Sequence, residues 1–279
     1  MSVDSVQHLT ILAGRGVYPM ELAECARAEG VGRVDAVCFR GETDRALLRR
    51  VDRSEWVSVG SLGSLLSALE KLGARDAVMA GQIRPTNLFR IRFDAPMRAL
   101  LARLPVRNAE TIFGAVGDEL CKVGVDLHPA SMFMERAMPA PGLVGGRPPT
   151  ETEERDLALG AHVAKAISGL DIGQTVVVKA GTILAVEAFE GTDRAILRAG
   201  RLGGPGGVVV KAAKRGHDMR FDIPVIGLHS FRVLRRAGIS ALGVEAGRTI
   251  LLQREQLIEQ ARRWNMAFTA LRMEQGGAE

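Results

Sequence analysis

Between residues 139 and 149 the chain reads PAPGLVGGRPP. Pro139, Pro141, Pro148 and Pro149 each remove a backbone donor, and Gly142, Gly145 and Gly146 loosen the chain between them. Such density argues against any regular element here and predicts an interdomain linker. Directly after it, Thr150 and Glu153 have the Thr-x-x-Glu spacing of a capping box, so a helix is expected through about Ser168. The 279 residues then divide into 1–138 and 150–279, each long enough to bury a core of its own.

The two halves are patterned differently. In the first, HLTILAG, RVDAVCF, EWVSVG and DAVMAG read as strands. RGVYPMELAECARAEG and SLLSALEKLG read as loop-to-helix segments between them. Strands alternating with helices predict a parallel sheet covered on both faces, a Rossmann-like arrangement. In the second half, QTVVVKAGTILAVEAF reads as a hairpin. Further strand candidates are GVVVKA, IPVIGL, ISALGVEAGRTILLQ and MAFTAL, with helical pieces near 193–200, 230–237 and 254–264. That half is a mixed α/β domain, so the fold class is α/β with two domains.

Composition excludes several functions. Aromatic residues are only 4%, too few to suggest stacking on nucleobases. The net charge of +5 and pI near 9.5 suit anionic partners such as phosphates or a membrane surface, but no basic run marks a nucleic-acid arm. Cys25, Cys38 and Cys121 are widely spaced with no CxxC, which argues against zinc or a disulfide framework and for a reducing cytosol. No apolar run reaches the length of a membrane helix, and the N-terminus does not read as a signal peptide. A cytoplasmic protein, at most peripheral to a membrane, is expected.

Several stretches can carry chemistry. Gly14 and Gly16 lie between a strand and a helix, where backbone N–H groups can approach a phosphate. Pro19 breaks the G-x-G-x-x-G spacing, so a tight turn explains them as well. Asp118 and Glu119 beside Gly117 read equally as solvated surface. In ILAVEAFEGTDRAIL, Glu187 and Glu190 interrupt an apolar strand. Thr192 suits a helix N-cap, with Asp193 in the first turn. That leaves Glu190 and Gly191 unexplained, and such a junction can also hold a hydrated Mg2+ beside a phosphate. Lys211 closes a buried-looking strand. Asp218, Arg220 and Asp222 alternate, which on a strand places them on one face, with Pro224 at a strand start or edge. Glu245, at a turn between strands, says little alone. The histidines form no cluster and no nucleophile elbow is present, so metal-assisted hydrolysis has more support than covalent catalysis. A nucleotide-sugar binder without turnover and a dinucleotide oxidoreductase remain as alternatives.

Together, LDIGQTVVV, LAVEAFEGTDRAIL, RFDIPVIG and AGISALGVEAGR resemble successive blocks of the LpxI-type UDP-2,3-diacylglucosamine pyrophosphatases, as do LAGRGVYPMELA and AGQIRPTN. The resemblance implies Mg2+-dependent hydrolysis, with Mn2+ as a substitute, of UDP-2,3-diacylglucosamine to UMP and 2,3-diacylglucosamine 1-phosphate in lipid A synthesis. It implies two α/β domains, a homodimer, and weak contact with the inner membrane surface. It makes Asp222 essential, either orienting water or holding the metal with Asp193, beside Lys211 and Asp218. It places Gly14, Gly16, Gln174, Glu190, Gly191, Thr192, Asp193 and Arg220 around the substrate. Departures are Glu119 where an aspartate is common, His217 for a glutamine and Ser230 for a threonine.

Overall fold

The computed structural model describes residues 6–83, 92–106, 108–214, 220 and 223–273. The chain forms two compact units. The first ends at Met134 and includes Arg220; the second starts at Glu135.

The first unit contains strands β1 (His8–Ala13), β2 (Arg33–Phe39), β3 (Arg53–Val57), β4 (Asp76–Ala80) and β5 (Asp126–His128). All are parallel, in the order β3-β2-β1-β4-β5. Leu9 through Ala13 are buried without alternation, as expected of a strand covered on both faces. The helices are α1 (Tyr18–Ala28), α2 (Leu62–Leu72), α3 (Ala95–Ala102) and α4 (Ala109–Lys122). Helix α2 buries Leu62, Leu65, Ala68, Leu69 and Leu72, one stripe at helical spacing, and ends on Gly73 in the left-handed conformation. That stripe packs with Leu12, Val37, Val57, Leu100 and Leu120.

The second unit holds β6 (Gly142–Gly146), α5 (Glu151–Gly169), β7 (Thr175–Lys179), β8 (Thr182–Val186), α6 (Thr192–Gly203) and β9 (Gly207–Lys211). These are followed by β10 (Val225–Ile226), α7 (Leu228–Arg236), β11 (Ile239–Glu245), β12 (Ile250–Leu251), α8 (Arg254–Arg263) and β13 (Ala267–Leu271). Its main sheet has the order β6-β13-β11-β9-β7-β8 among the described residues. Strands β9, β11 and β13 are parallel, whereas β7 runs against both β9 and β8. Valines alternate between two cores. Val176, Val178, Val208 and Val210 meet Leu157, Ala164 and Ile167 of α5. Val177 and Val209 meet Ile196, Phe231, Leu234 and Leu257 on the other face.

The hairpin expected from the sequence is β7–β8. Its two-residue turn places Ala180 and Gly181 at φ of 48° and 76°, the sign that hairpin turns of this length require. Buried Asp156 fixes the turn by accepting the Ala180 and Gly181 N–H groups at 2.8 and 2.7 Å.

One expectation is corrected. Residues 139–149 do not lack regular structure, because Gly142–Gly146 is the edge strand β6, antiparallel to β13. The prolines sit outside the strand, where they remove no ladder bond. The glycines allow close packing: a Cβ on Gly146 would lie 1.8 Å from the Met266 carbonyl oxygen, and one on Gly145 3.1 Å from Ile258 Cα.

The capping box forms. Glu153 Oε2 accepts the Thr150 N–H at 2.8 Å, and Thr150 Oγ1 accepts the Glu153 N–H at 3.3 Å. Arg147 adds two bonds to the same carboxylate, at 2.6 and 2.7 Å. Burial alone would raise the Glu153 carboxyl, but bonds from Arg147, Ser240 and Thr150 outweigh it and hold the group at about 2. A folded value below the unfolded 4.5 stabilises the fold above that pH and is lost as pH falls towards 2. At most about 3 kcal/mol is involved. Glu153→Gln should therefore lower stability at pH 7 by about 1–3 kcal/mol. It should also flatten the loss of stability between pH 4.5 and 2 in denaturant titrations; an unchanged pH profile would contradict this.

Two helical glycines predict opposite signs. A Cβ on Gly160 of α5 would lie 2.6 Å from Val210 Cγ2, whereas one on Gly114 of α4 has open space. Gly114→Ala should stabilise by about 0.5–1 kcal/mol through helix propensity. Gly160→Ala should destabilise by about 1–2 kcal/mol, because β-branched Val210 has no flexible end to move aside. Chemical denaturation of the two variants checks the signs.

Candidate functional site

In the second unit, topology collects polar residues at one edge. Strands β9 and β11 end side by side at Lys211 and Glu245, with Val244 in register with Lys211. Strand β7 runs the other way, so it starts at the same edge, with Thr175 opposite Lys211. Strand β8 ends there too, at Val186, and Glu187 follows. The carboxyl ends of parallel strands are where open α/β sheets bind ligands.

The edge is tightly built. Ala212 N–H donates to Gln174 O at 2.9 Å and Glu187 N–H to Thr175 O at 2.8 Å. Gly173 is required, because a Cβ there would lie 2.2 Å from Glu187 O. Glu187 is buried, and its Oε1 accepts the Thr192 hydroxyl at 2.8 Å. Its Oε2 faces the Gln174 N–H at 3.4 Å. The Thr175 and Thr192 hydroxyls are 3.5 Å apart. Among the described residues, the buried side-chain oxygen of Gln174 has no hydrogen-bond partner.

The junction after β8 therefore sorts its own residues. Gly191, at φ 82°, is the N-cap of α6, and Thr192 is the first helical residue rather than the cap. Thr192 and Gln174 join Glu187. Glu190 instead pairs with Arg198 at 2.6 Å, and that guanidinium holds its carboxyl below the usual range. Asp193 pairs with His229 at 2.8 Å, both of them exposed.

A buried ion pair completes the edge. Lys165 of α5 donates to both Glu245 oxygens at 3.1 Å and to Ala213 O at 3.0 Å. Glu245 Oε2 accepts the Ala213 N–H at 2.7 Å. Lys214 pairs with Asp171. Glu245, Arg248, Arg272, Met138, Pro139 and Met273 are among the residues lining a cavity of about 460 Å3. Sequence reasoning missed Lys165 entirely. The only signal was an acid, Glu245, closing the apolar run ISALGV.

In the first unit, Gly14 and Gly16 lie at the switch point between β1 and β4. Arg15 and Gln82 exchange backbone bonds of 2.8 and 3.3 Å there. A Cβ on Gly14 would lie 2.8 Å from Gln82 backbone atoms, and Gly81, at φ 90°, faces Arg15 O in the same way. Close approach of two loops accounts for Gly14, and the positive φ of 91° at Gly16 is what a tight turn requires. Glu119 pairs with Lys122 and Arg103, and Asp118 lies 4.0 Å from Arg220 Nη1. Arg220 is in a turn, not on the strand that alternation suggested. Asp218, Asp222 and His217 lie outside the described residues. Among the described residues no group of three or more His, Cys, Asp or Glu side chains can hold a metal ion. With Asp193 held by His229, the described side chains alone do not fit a Mg2+ site.

Comparison with known proteins identifies the kind of chain. Residues 8–137 match the LpxI N-terminal domain and residues 140–269 the LpxI C-terminal domain. UDP-2,3-diacylglucosamine pyrophosphatase LpxI of Caulobacter vibrioides is 32% identical over 268 residues, which is 92% of this chain and 94% of the relative. Among solved structures, a biotin carboxylase from Campylobacter jejuni aligns at 14% identity and TM-score 0.29, covering 71% of this chain and 42% of its own. The biotin carboxylase domain of a Hydrogenobacter thermophilus carboxylase aligns at 13% and 0.27, covering 63% and 35%. Likenesses this distant carry no argument. The two domain matches and the full-length relative do: the chain belongs to the LpxI family.

Proposed function

We propose that this chain is a hydrolase that cleaves the diphosphate of UDP-2,3-diacylglucosamine, releasing UMP and 2,3-diacylglucosamine 1-phosphate in lipid A synthesis. The observation that carries the reading is the relative of that name, similar over 92% of this chain. The C-terminal edge supports it in chemical terms. A diphosphate repels an attacking water, and fixed cations in a partly buried site offset that charge. Lys211 stands where β9 ends, opposite Thr175 and close to Gln174 and Thr192, while Lys214 is ion-paired with Asp171. Water oxygen forms the new bond to the sugar-side phosphorus and gives up a proton to a carboxylate or to solvent, the bridging P–O bond breaks, and UMP leaves. Asp222 would orient that water or hold Mg2+, and Asp218 is the second acid proposed from the same stretch of sequence. Gln174, Gly191 and Thr192 line the substrate. The requirement for Mg2+, with Mn2+ as substitute, and a homodimer belong to the same proposal and rest on the family resemblance.

The test is UMP release from UDP-2,3-diacylglucosamine. Turnover with Mg2+, loss with EDTA and recovery on adding Mg2+ are expected; a binder would leave the nucleotide sugar intact. Asp222→Ala should lose about 10²–10⁴-fold in rate while still retaining substrate. Wild-type turnover by that variant would remove Asp222 from the site, and Asp222→Asn serves as the gentler change.

Weak peripheral contact with the inner membrane is proposed too, for a cytoplasmic protein. Among the described residues no helix is long and apolar enough to cross a membrane. Phe189 is fully exposed, Leu170 mostly so and Ile172 nearly half, in loops beside the same edge. Wild-type protein should float with anionic vesicles at low salt, and Phe189→Ser should float less. Binding that resists high salt and alkaline carbonate would contradict this.

A further inference from the structure

The Lys165–Glu245 pair has no part in the reading above, although it is the most deeply buried charge pair at the edge. Only 5% of Lys165 and 3% of Glu245 is exposed. Removing two charges from water is costly, and apolar residues of similar size are often as stable in their place. Stability is therefore a poor reason for the pair.

Its geometry suggests another reason. Strand β9 makes its last ladder bonds near Lys211, and Ala212 N–H still reaches Gln174 O. Beyond that point, among the described residues, no strand backbone is hydrogen-bonded to Ala213. The ion pair takes over. Glu245 accepts the Ala213 N–H at 2.7 Å, and Lys165 donates to the Ala213 carbonyl at 3.0 Å. Both backbone polar groups of one residue are thus held by two side chains that also hold each other at 3.1 Å. Ala213 lies between Lys211 and Lys214, and the same segment continues in sequence towards Asp218 and Asp222. A buried, hydrogen-bonded pair fixes such a backbone position far more tightly than a solvated loop can.

We propose that Lys165 and Glu245 are positioning residues for the hydrolysis, clamping Ala213 so that the end of β9 holds Lys211 towards the diphosphate. This rests on the function proposed above. Neither side chain needs to touch substrate. Both act through the backbone, and small displacements of charged groups cost rate steeply.

The experiment removes the pair together, so that no charge is left buried alone. Lys165→Met/Glu245→Met should fold, with a melting temperature near that of the wild type. Its kcat for UMP release should fall about 10–100-fold, with KM changed less than about threefold. A second variant, Lys165→Met/Glu245→Gln, supplies one amide that can both accept from Ala213 N–H and donate to its carbonyl. It should recover part of the rate, to within about tenfold of wild type but at least about threefold below it. Wild-type kcat in the Met/Met protein overturns the clamp, and so does a loss confined to KM. If the Met/Met protein does not fold, the Met/Gln protein decides alone, and wild-type kcat there overturns the proposal. A wild-type chain that releases no UMP overturns the function on which the clamp rests, and the clamp with it. An active wild type with unaffected variants overturns the clamp only.

Discussion

The second unit is governed by one constraint: its central strands are buried on both faces. Val176, Val178, Val208 and Val210 face one core, and Val177 and Val209 face the other. Nothing polar fits inside such a sheet without a dedicated partner. Polar chemistry can therefore appear only where strands end. The order β9-β7-β8, with β7 reversed, decides which ends meet, and it brings Gln174, Thr175, Glu187, Lys211 and Glu245 to one side. The same burial makes that edge rigid, since each strand end inherits the packing beneath it.

Within the edge, local backbone decides which acids matter. Gly191 adopts a positive φ that strains other residues, and so turns the chain straight from β8 into α6. That turn brings Thr192 back onto Glu187, at 2.8 Å. It sends Glu190 and Asp193 outward to Arg198 and His229. The four residues EGTD are adjacent in sequence, yet they belong to two different electrostatic settings. Glu187 is buried against hydroxyls, whereas Glu190 is satisfied by a surface arginine, an interaction of the kind that contributes little to stability.

Much of the architecture was legible because it depends on local periodicity. The unbroken apolar runs of β1, β2 and β4, the stripe of α2, the β7–β8 hairpin and the Thr150 capping box all follow from nearby residues. Strand β6 was not legible. Its glycines signal loop in sequence, but they are there because Met266 and Ile258 leave no room for a Cβ, a fact set by residues more than a hundred positions away. The site divides along the same line. Glu187, Gly191, Thr192 and Lys211 stand out at strand ends, whereas Gln174 entered only through the family resemblance. Lys165 looks like any lysine on a helix, and only the tertiary pairing with Glu245 gives it a role.

The two sheets also use their carboxyl edges differently. In the first unit the switch point between β1 and β4 is where a dinucleotide fold would open a crevice. Here Arg15 and Gln82 bridge it through their backbones, and Gly14 and Gly81 are glycines so that the two loops can touch. The Gly14, Arg15 and Gln82 N–H groups are thus used within the fold. In the second unit the corresponding edge ends on lysines, buried acids, hydroxyls and the unpartnered Gln174 oxygen. An unsatisfied buried acceptor costs about 1–3 kcal/mol unless something donates to it. The two carboxyl edges thus differ in the polar groups that end their strands.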